Sequence, residues 1–144
     1  RICYHRFDGD LSILGYAAAS DVFGPSLYEP FGQIDVVGNI YGATATNRDT
    51  GGYNDKIRPL SLRAWGAPID SGNGVLFRDY DAAGLWWGLS RTVKHHRYFR
   101  EHPREWEKQM RRIMKEARET WSLENMVAKY ITTYEEINGG TPLT

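Results

Sequence analysis

The sequence predicts an α/β fold with a mostly parallel sheet, followed by a helical carboxyl-terminal region. Short apolar or β-branched runs alternate with segments of helical periodicity in the first half of the chain, and three helical segments follow them. Such alternation is typical of proteins in which helices cover the faces of a parallel sheet. The chain has 144 residues, 41% hydrophobic and 25% charged, which fits a single domain (residues 1–144) with one core.

Four short segments are predicted to be strands. They are residues 1–5, the run around Val22 and Phe23, residues 43–46 and residues 74–77. A helix lies between the second and third of these, so a right-handed crossover should make the two strands parallel.

The helices of the first half are short. Residues 11–19 and the segment from Ile34 to Tyr41 have helical periodicity, and Gly42 supplies a stop signal for the second. A helical turn is expected at residues 53–57. Residues 58–71 contain proline and glycine without a consistent period and predict a loop, whose apolar side chains should pack on the body: Leu60, Leu62 and Trp65.

Three longer helices are predicted after the last strand. Asp81 and Ser122 are suitable N-caps for the first and third, Pro103 suits the first turn of the second, and the glycines after Asn138 should end the third. The side chains expected on the buried faces are Leu85, Leu89 and Val93; Trp106, Met110, Ile113, Met114 and Ala117; and Val127, Tyr130, Ile131 and Tyr134.

Composition excludes several classes of partner. Lys plus Arg and Asp plus Glu each number 18, so the chain lacks the positive field that attracts nucleic acid. Cys3 is the single cysteine, which favours a reducing compartment. No apolar run is long enough to span a membrane, so we expect a cytoplasmic protein. The chain begins at Arg1 without Met, inside a predicted strand, which indicates a fragment.

Two loops after neighbouring strands carry the best candidate site residues. Glu29 stands between a strand and a helix, and Thr50, Gly51 and Gly52 offer backbone N–H groups with little side chain before the next helical turn. Each has a simpler explanation: a favourable N-terminal charge for Glu29, and a turn with positive φ for the glycines. Both loops should lie at the carboxyl edge of the sheet, where ligands of such folds bind. Together, the acid Glu29 and an anion-binding loop at Thr50, Gly51 and Gly52, called the cradle below, suit a sugar nucleotide.

The run ASDVFGPSLYEPFG at residues 19–32, followed by TGGYND at residues 50–55, resembles the carboxyl-terminal domain of bacterial glycogen and starch synthases. Further matches are GNGVLFRDY at residues 72–80 and TWS at residues 120–122 with Tyr130 and Tyr134. These synthases are retaining glycosyltransferases of the GT-B fold. The resemblance therefore implies that the chain is the Rossmann-like carboxyl-terminal half of a GT-B enzyme.

The resemblance also implies roles for individual residues. Glu29 would hydrogen-bond the donor sugar near the reacting centre. The other residues implied in donor binding are Phe31, Gly32, Gln33, Thr50, Gly51 and Gly52. The implied reaction transfers glucose from ADP-glucose or UDP-glucose to the 4-hydroxyl of an α-1,4-glucan with retention, and it needs neither a metal ion nor another cofactor, because positive side chains and helix dipoles stabilise the departing diphosphate.

The chain departs from the synthase pattern in places. Gln33, Ile34 and Asp35 stand where synthases typically have Leu, Thr and Gln, which leaves the donor nucleotide open. The second Glu of the wider superfamily is Val37 here, as is usual in the synthase branch. The basic pair for the diphosphate and the glycine-rich loop would belong to the missing amino-terminal part, so the fragment alone should be inactive.

Other features favour ordinary structural explanations. His95, His96 and His102 lack the spacing of a metal site and predict a solvated surface. Trp86 and Trp87 indicate core or interface packing. Two alternatives to the synthase hypothesis stay open: a retaining transferase with a non-glucan acceptor, and a sugar-nucleotide-binding domain without transfer.

Overall fold

The computed structural model describes residues 3–6, 8–61 and 71–139. Within these residues, three parallel strands form one sheet in the order β1 (Asp21–Gly24), β2 (Thr44–Arg48) and β3 (Gly74–Phe77). The helices are α1 (Gly9–Ala18), α2 (Ile34–Tyr41), α3 (Gly52–Lys56), α4 (Ala82–Glu101), α5 (Pro103–Thr120) and α6 (Leu123–Ile137). The predicted fold class, a parallel α/β sheet with a helical carboxyl-terminal region, is confirmed.

The central strand β2 pairs with both neighbours in parallel register. Asp21 lies opposite Thr44, and Ala45 lies opposite Gly74. β2 runs two residues beyond the prediction, since Asn47 and Arg48 also pair with β3. The loops that follow the three strands therefore share one edge of the sheet.

The core lies between the sheet and the helices on its faces. Ala45, Tyr53 and Ile57 form a buried cluster, and Leu60 is buried as predicted. α2 ends at Gly42 with a left-handed φ of 91°, also as predicted. On α5 the predicted apolar stripe is confirmed, with Ile113 at its centre 1% exposed. Leu62 and Trp65 lie outside the described residues.

The predicted strand at residues 1–5 is wrong for Cys3, Tyr4 and His5, which are exposed and belong to no strand. The apolar residues in this run suited a strand, but a strand also needs a neighbour for its backbone hydrogen bonds. Among the described residues, none pairs with this segment.

Helix α4 is capped as predicted, but it turns a different face to the sheet. Asp81 accepts a hydrogen bond from the Gly84 amide at 2.7 Å. Leu89 and Val93 are exposed, as are Trp86 and Trp87, so none of these forms core. The buried row is instead Gly84, Gly88, Thr92, His95 and Phe99.

Apart from Phe99, the buried row of α4 consists of small and polar residues, because the helix lies close to the strands. A Cβ atom on Gly88 would be 2.8 Å from the Phe77 ring. The hydroxyl groups of Thr92 and Thr46 are 2.5 Å apart. A pattern of large apolar residues does not reveal such a face.

The predicted solvated position of His95 is wrong, because this side chain is 4% exposed. Burial lowers the pKa of His95 to about 4, although a hydrogen bond with the backbone of Leu60 acts in the opposite direction. His96 is half-buried, whereas His102 is exposed.

Helix α6 has the predicted ends but not the predicted burial. Ser122 accepts a hydrogen bond from the Asn125 amide at 3.1 Å, and the helix ends at Ile137. The face predicted to be buried is exposed, at 42–57% for its members: Val127, Tyr130, Ile131 and Tyr134. No element among the described residues covers this face. None of the helices in the described part of the chain is long and apolar enough to cross a membrane.

Candidate functional site

The loop after β1 folds its own acid back onto the backbone. The Glu29 carboxylate accepts a hydrogen bond from the Gly32 amide at 3.1 Å, and the Ser26 hydroxyl lies 3.5 Å from its other oxygen. The side chain thus caps a turn that precedes α2. Because a carboxylate has about four lone-pair positions, it keeps capacity to accept bonds from ligand hydroxyls.

Gly32 completes this turn in a conformation that only glycine suits. Its φ is +77°, and a Cβ atom would lie 2.2 Å from the ring of Tyr53. Tyr53 is 1% exposed and forms the floor beneath the turn. Burial raises the pKa of the Tyr53 phenol, and the negative charge of Glu29 raises it further.

The cradle loop after β2 is in direct backbone contact with the Glu29 loop. The Gly52 amide donates to the Glu29 carbonyl oxygen at 3.0 Å. A Cβ atom on Gly51 would lie 2.1 Å from that oxygen, and one on Gly52 would lie 2.2 Å from the Phe31 carbonyl oxygen. The predicted meeting of the acid and the cradle at one sheet edge is therefore what the structure shows.

This contact changes which backbone groups can receive an anion. The Gly52 amide is already occupied by Glu29, whereas the Thr50 and Gly51 amides donate no hydrogen bond within the described part of the chain. Gly51 is exposed, with a left-handed φ of +45°. The amides of the cradle that remain open to an anion are therefore those of Thr50 and Gly51.

The remaining predicted site residues lie at the same place. Phe31 is 46% exposed, and its ring meets that of Trp121 edge to face at 5.6 Å. Gln33 is exposed at the N-cap of α2, where its side chain makes no capping bond. Both side chains are accessible to a ligand beside Glu29.

Two basic residues that support the loops were not predicted. Arg48, at the end of β2, donates to the Leu27 carbonyl oxygen at 2.6 Å and to the Arg78 carbonyl oxygen at 3.2 Å. It thus ties the loops after β1 and β3 to the strand between them. The sequence placed Arg48 in the polar loop after the predicted strand at residues 43–46, and a charge in a loop does not identify its partners.

Lys56 is the second. Its ammonium lies 3.0 Å from the Asp35 carboxylate, and both side chains are nearly buried, at 6% and 2% exposed. Burial raises the pKa of Asp35, while the hydrogen bond and charge of Lys56 oppose that rise. Lys56 and Asp35 are 21 positions apart, and no motif in the sequence links them.

Comparison with known proteins adds independent information. No protein-family model matches the chain. It is 31% identical over 123 residues to a glycogen synthase of Desulfitobacterium hafniense and 30% identical over 131 residues to one of Pseudothermotoga lettingae. These alignments cover 85% and 91% of the chain, but 24% and 25% of the relatives, which is about a quarter of their length.

A solved structure shares the fold. It is the catalytic domain of starch synthase IV from Arabidopsis thaliana bound to ADP and acarbose, with a TM-score of 0.68 and 27% identity. The alignment covers 91% of this chain and 24% of that one. The chain belongs to the glycogen/starch synthase family. It corresponds to the carboxyl-terminal part of these GT-B proteins, as its sequence predicts.

Residues 33–35 differ from the residues that synthases typically have, and the structure shows which of these differences reach the site. Of the three, Gln33 is exposed at the site, whereas Asp35 points into the protein and is paired with Lys56. The change at Asp35 is thus matched by a partner of opposite charge and does not place a charge on the site surface.

A cavity of about 710 Å³ lies on the same sheet edge, beside the Glu29 loop and the cradle. Its described lining joins the loop after β3 to α3 and α4 and includes Asp49, Asn54, Arg78, Asp79 and Trp87. None of the seven predicted site residues lines it. Among the described residues, no three His, Cys, Asp or Glu side chains are grouped to hold a metal ion.

Proposed function

We propose that the protein carrying this chain transfers glucose from a nucleoside-diphosphate glucose to the 4-hydroxyl of an α-1,4-glucan with retention, and that this chain binds the donor. The observation that supports the proposal best is the Gly52–Glu29 backbone contact of 3.0 Å, which holds a carboxylate and an open pair of amides together. Membership of the synthase family supports the reaction class. The Arabidopsis protein named above was solved with ADP, which agrees with a nucleotide donor.

Each loop has a distinct task in this proposal. Glu29 accepts hydrogen bonds from the donor sugar hydroxyls, and Phe31 and Gln33 contact the donor beside it. The Thr50 and Gly51 amides receive the diphosphate, where fixed donors stabilise developing negative charge without reorganisation. Gly32 and Gly52 hold the two loops in contact.

The acceptor site and part of the diphosphate site would come from the amino-terminal part of the same protein. The residues described here provide no cluster of basic side chains at the cradle, since Arg48 and Lys56 are both committed to backbone groups of neighbouring loops. The donor half of the site is therefore incomplete without that part. No metal ion or other cofactor has a role in this proposal.

The test uses the full-length protein with ADP-glucose or UDP-glucose and glycogen, and measures the release of nucleoside diphosphate. Glu29→Ala should lower kcat by about 100-fold or more, because a hydrogen bond near the reacting centre is lost. Glu119→Ala is the matched control, since Glu119 is an exposed residue of α5.

Turnover of Glu29→Ala within a few-fold of the wild type would contradict the role of Glu29. Donor binding by the wild type without transfer to any acceptor would contradict the enzyme hypothesis. Transfer to a small molecule, protein or lipid but not to glucan would replace the acceptor and leave the donor site intact.

A further inference from the structure

The ammonium group of Lys56 lies directly beneath the turn that carries the candidate donor residues. It donates a hydrogen bond to the carbonyl oxygen of Gly32 and lies 4.0 Å from the centre of the Phe31 ring. A cation at this distance from an aromatic face is attracted to it, more strongly when water is excluded. The side chain is 6% exposed, so Lys56 itself does not reach the ligand surface.

The contact with Gly32 links Lys56 to Glu29 through a single residue. The carbonyl of Gly32 accepts from Lys56, while its amide donates to the Glu29 carboxylate at 3.1 Å. Gly32 cannot shift towards Tyr53, because the ring already occupies the space that a Cβ atom would need. A displacement of Lys56 should therefore change the orientation of the Glu29 carboxylate.

Lys56 also joins the two loops of the site. It is the last residue of α3, the helical turn that follows the cradle, yet its contacts are with the Glu29 loop and the first turn of α2. The ring of Trp121, the C-cap residue of α5, lies 6.0 Å from the ammonium. Both loops and the end of α5 thus converge on one buried charge.

Asp35 compensates the buried positive charge of Lys56. An unpaired ammonium in the interior would be costly, and the carboxylate at 3.0 Å compensates it. Stability alone does not explain the pair, since a buried ion pair is often no more stabilising than apolar residues of similar size. The contacts of Lys56 beyond Asp35 all point at the Phe31–Gly32 turn or the rings around it.

We propose that Lys56 is a positioning residue that holds the Phe31–Gly32 turn, and through Gly32 the Glu29 carboxylate, in the orientation that the donor sugar requires. The catalytic consequence rests on the proposed function. The hold on the turn is a property of the fold and can be measured without activity.

The test removes the pair as a unit in the full-length protein. Lys56→Met alone would leave the Asp35 carboxylate buried without a partner and should lower the melting temperature. Lys56→Met combined with Asp35→Asn removes both charges and keeps the volume of each side chain similar. The matched control is Lys115→Met with Glu119→Gln, which deletes an exposed lysine–glutamate pair of α5.

For the Lys56/Asp35 double variant we expect a melting temperature close to that of the wild type, kcat lowered about tenfold and a smaller change in the donor KM. The control pair should leave kcat unchanged. A kcat within twofold of the wild type in the double variant would overturn the proposal. So would a double variant that is as unstable as Lys56→Met alone, since Lys56 would then serve stability only.

Hydrogen exchange at the Gly32 amide gives a readout that does not depend on transfer. Loss of the Lys56 contact should loosen the Gly32–Glu29 bond and speed exchange of this amide about tenfold, with no change in the control pair. An unchanged exchange rate would overturn the proposal whatever the activity. If the wild type shows no transfer, the proposed function fails, and the exchange rate still decides whether Lys56 holds the turn.

Discussion

At the carboxyl edge of the sheet two loops meet backbone to backbone, whereas helix α6 buries none of its residues against the described part of the chain. At the edge, Gly51 and Gly52 lie so close to the Glu29 loop that a Cβ atom would be about 2 Å from a carbonyl oxygen. On α6, the apolar row around Ile131 is open. Both regions have clear sequence patterns, yet among the described residues only the first finds its partner.

The difference separates two kinds of evidence in a sequence. The edge loops are fixed by backbone geometry, which glycine, proline and chain connectivity largely determine. The burial of an apolar helix face depends on another surface, and a periodic pattern records only that such a surface is expected. Helix α5 shows the same pattern with its partner present, since it packs against α2.

The largest effect should come from adding one methyl group at the edge. Gly52→Ala would place a Cβ atom 2.2 Å from the Phe31 carbonyl oxygen and force the two loops apart. Because misplacement of about 1 Å can cost about 100-fold in rate, transfer by the full-length protein should fall by at least that factor.

The control is Gly15→Ala in α1, where the added Cβ atom has nothing within 4 Å. It should keep wild-type transfer. Normal activity of Gly52→Ala would show that contact between the loops is not required, and the contrast between the edge and the helices would lose its functional meaning.

The comparison of helices is tested by truncating one isoleucine on each. Ile113→Ala on α5 removes a side chain that is 1% exposed and should lower the free energy of unfolding of the 144-residue chain by about 2–5 kcal/mol. Ile131→Ala on α6, where the side chain is 42% exposed, should cost less than about 1 kcal/mol. Denaturant titration measures both, and equal losses would show that α6 is covered in this chain.

The smallest effect at neutral pH is that of replacing His95. In acid, this residue should lower the free energy of unfolding. Burial lowers its pKa from 6.5 to about 4, so the unfolded chain binds a proton that the folded chain does not. The stability contributed is complete above pH 6.5 and is lost as the pH falls towards 4, by up to about 3 kcal/mol. His95→Gln should remove this loss, and His102→Gln, at an exposed position, should retain it.

Asp21 acts in the opposite direction over part of this range, because burial raises its pKa to about 6. Its contribution is greatest below its unfolded pKa and is lost as the pH rises through 6. The His95 effect should therefore be taken as the difference between His95→Gln and the wild type at each pH. A difference that does not vary with pH would contradict the assigned pKa of His95.

Much of the candidate site could be predicted because its signals are local. Pro30 and Gly32 mark a turn, Gly42 ends a helix, and parallel strands bring the loop of Glu29 beside that of Gly51. The buried face of α4 could not be predicted in the same way. Gly88, Thr92 and His95 carry no apolar pattern, and they are buried because the helix lies close to β2 and β3.

By itself, the sequence determined the α/β class, the order of most elements, the caps at Asp81 and Ser122, and the position of Glu29 before α2. The tertiary structure decided that α6 keeps its apolar face exposed, that His95 is buried and that Lys56 meets Asp35 beneath the Phe31–Gly32 turn. The physical reason is range: dihedral preferences, caps and periodicity act within a few residues, whereas burial and charge pairing depend on which distant surfaces come into contact.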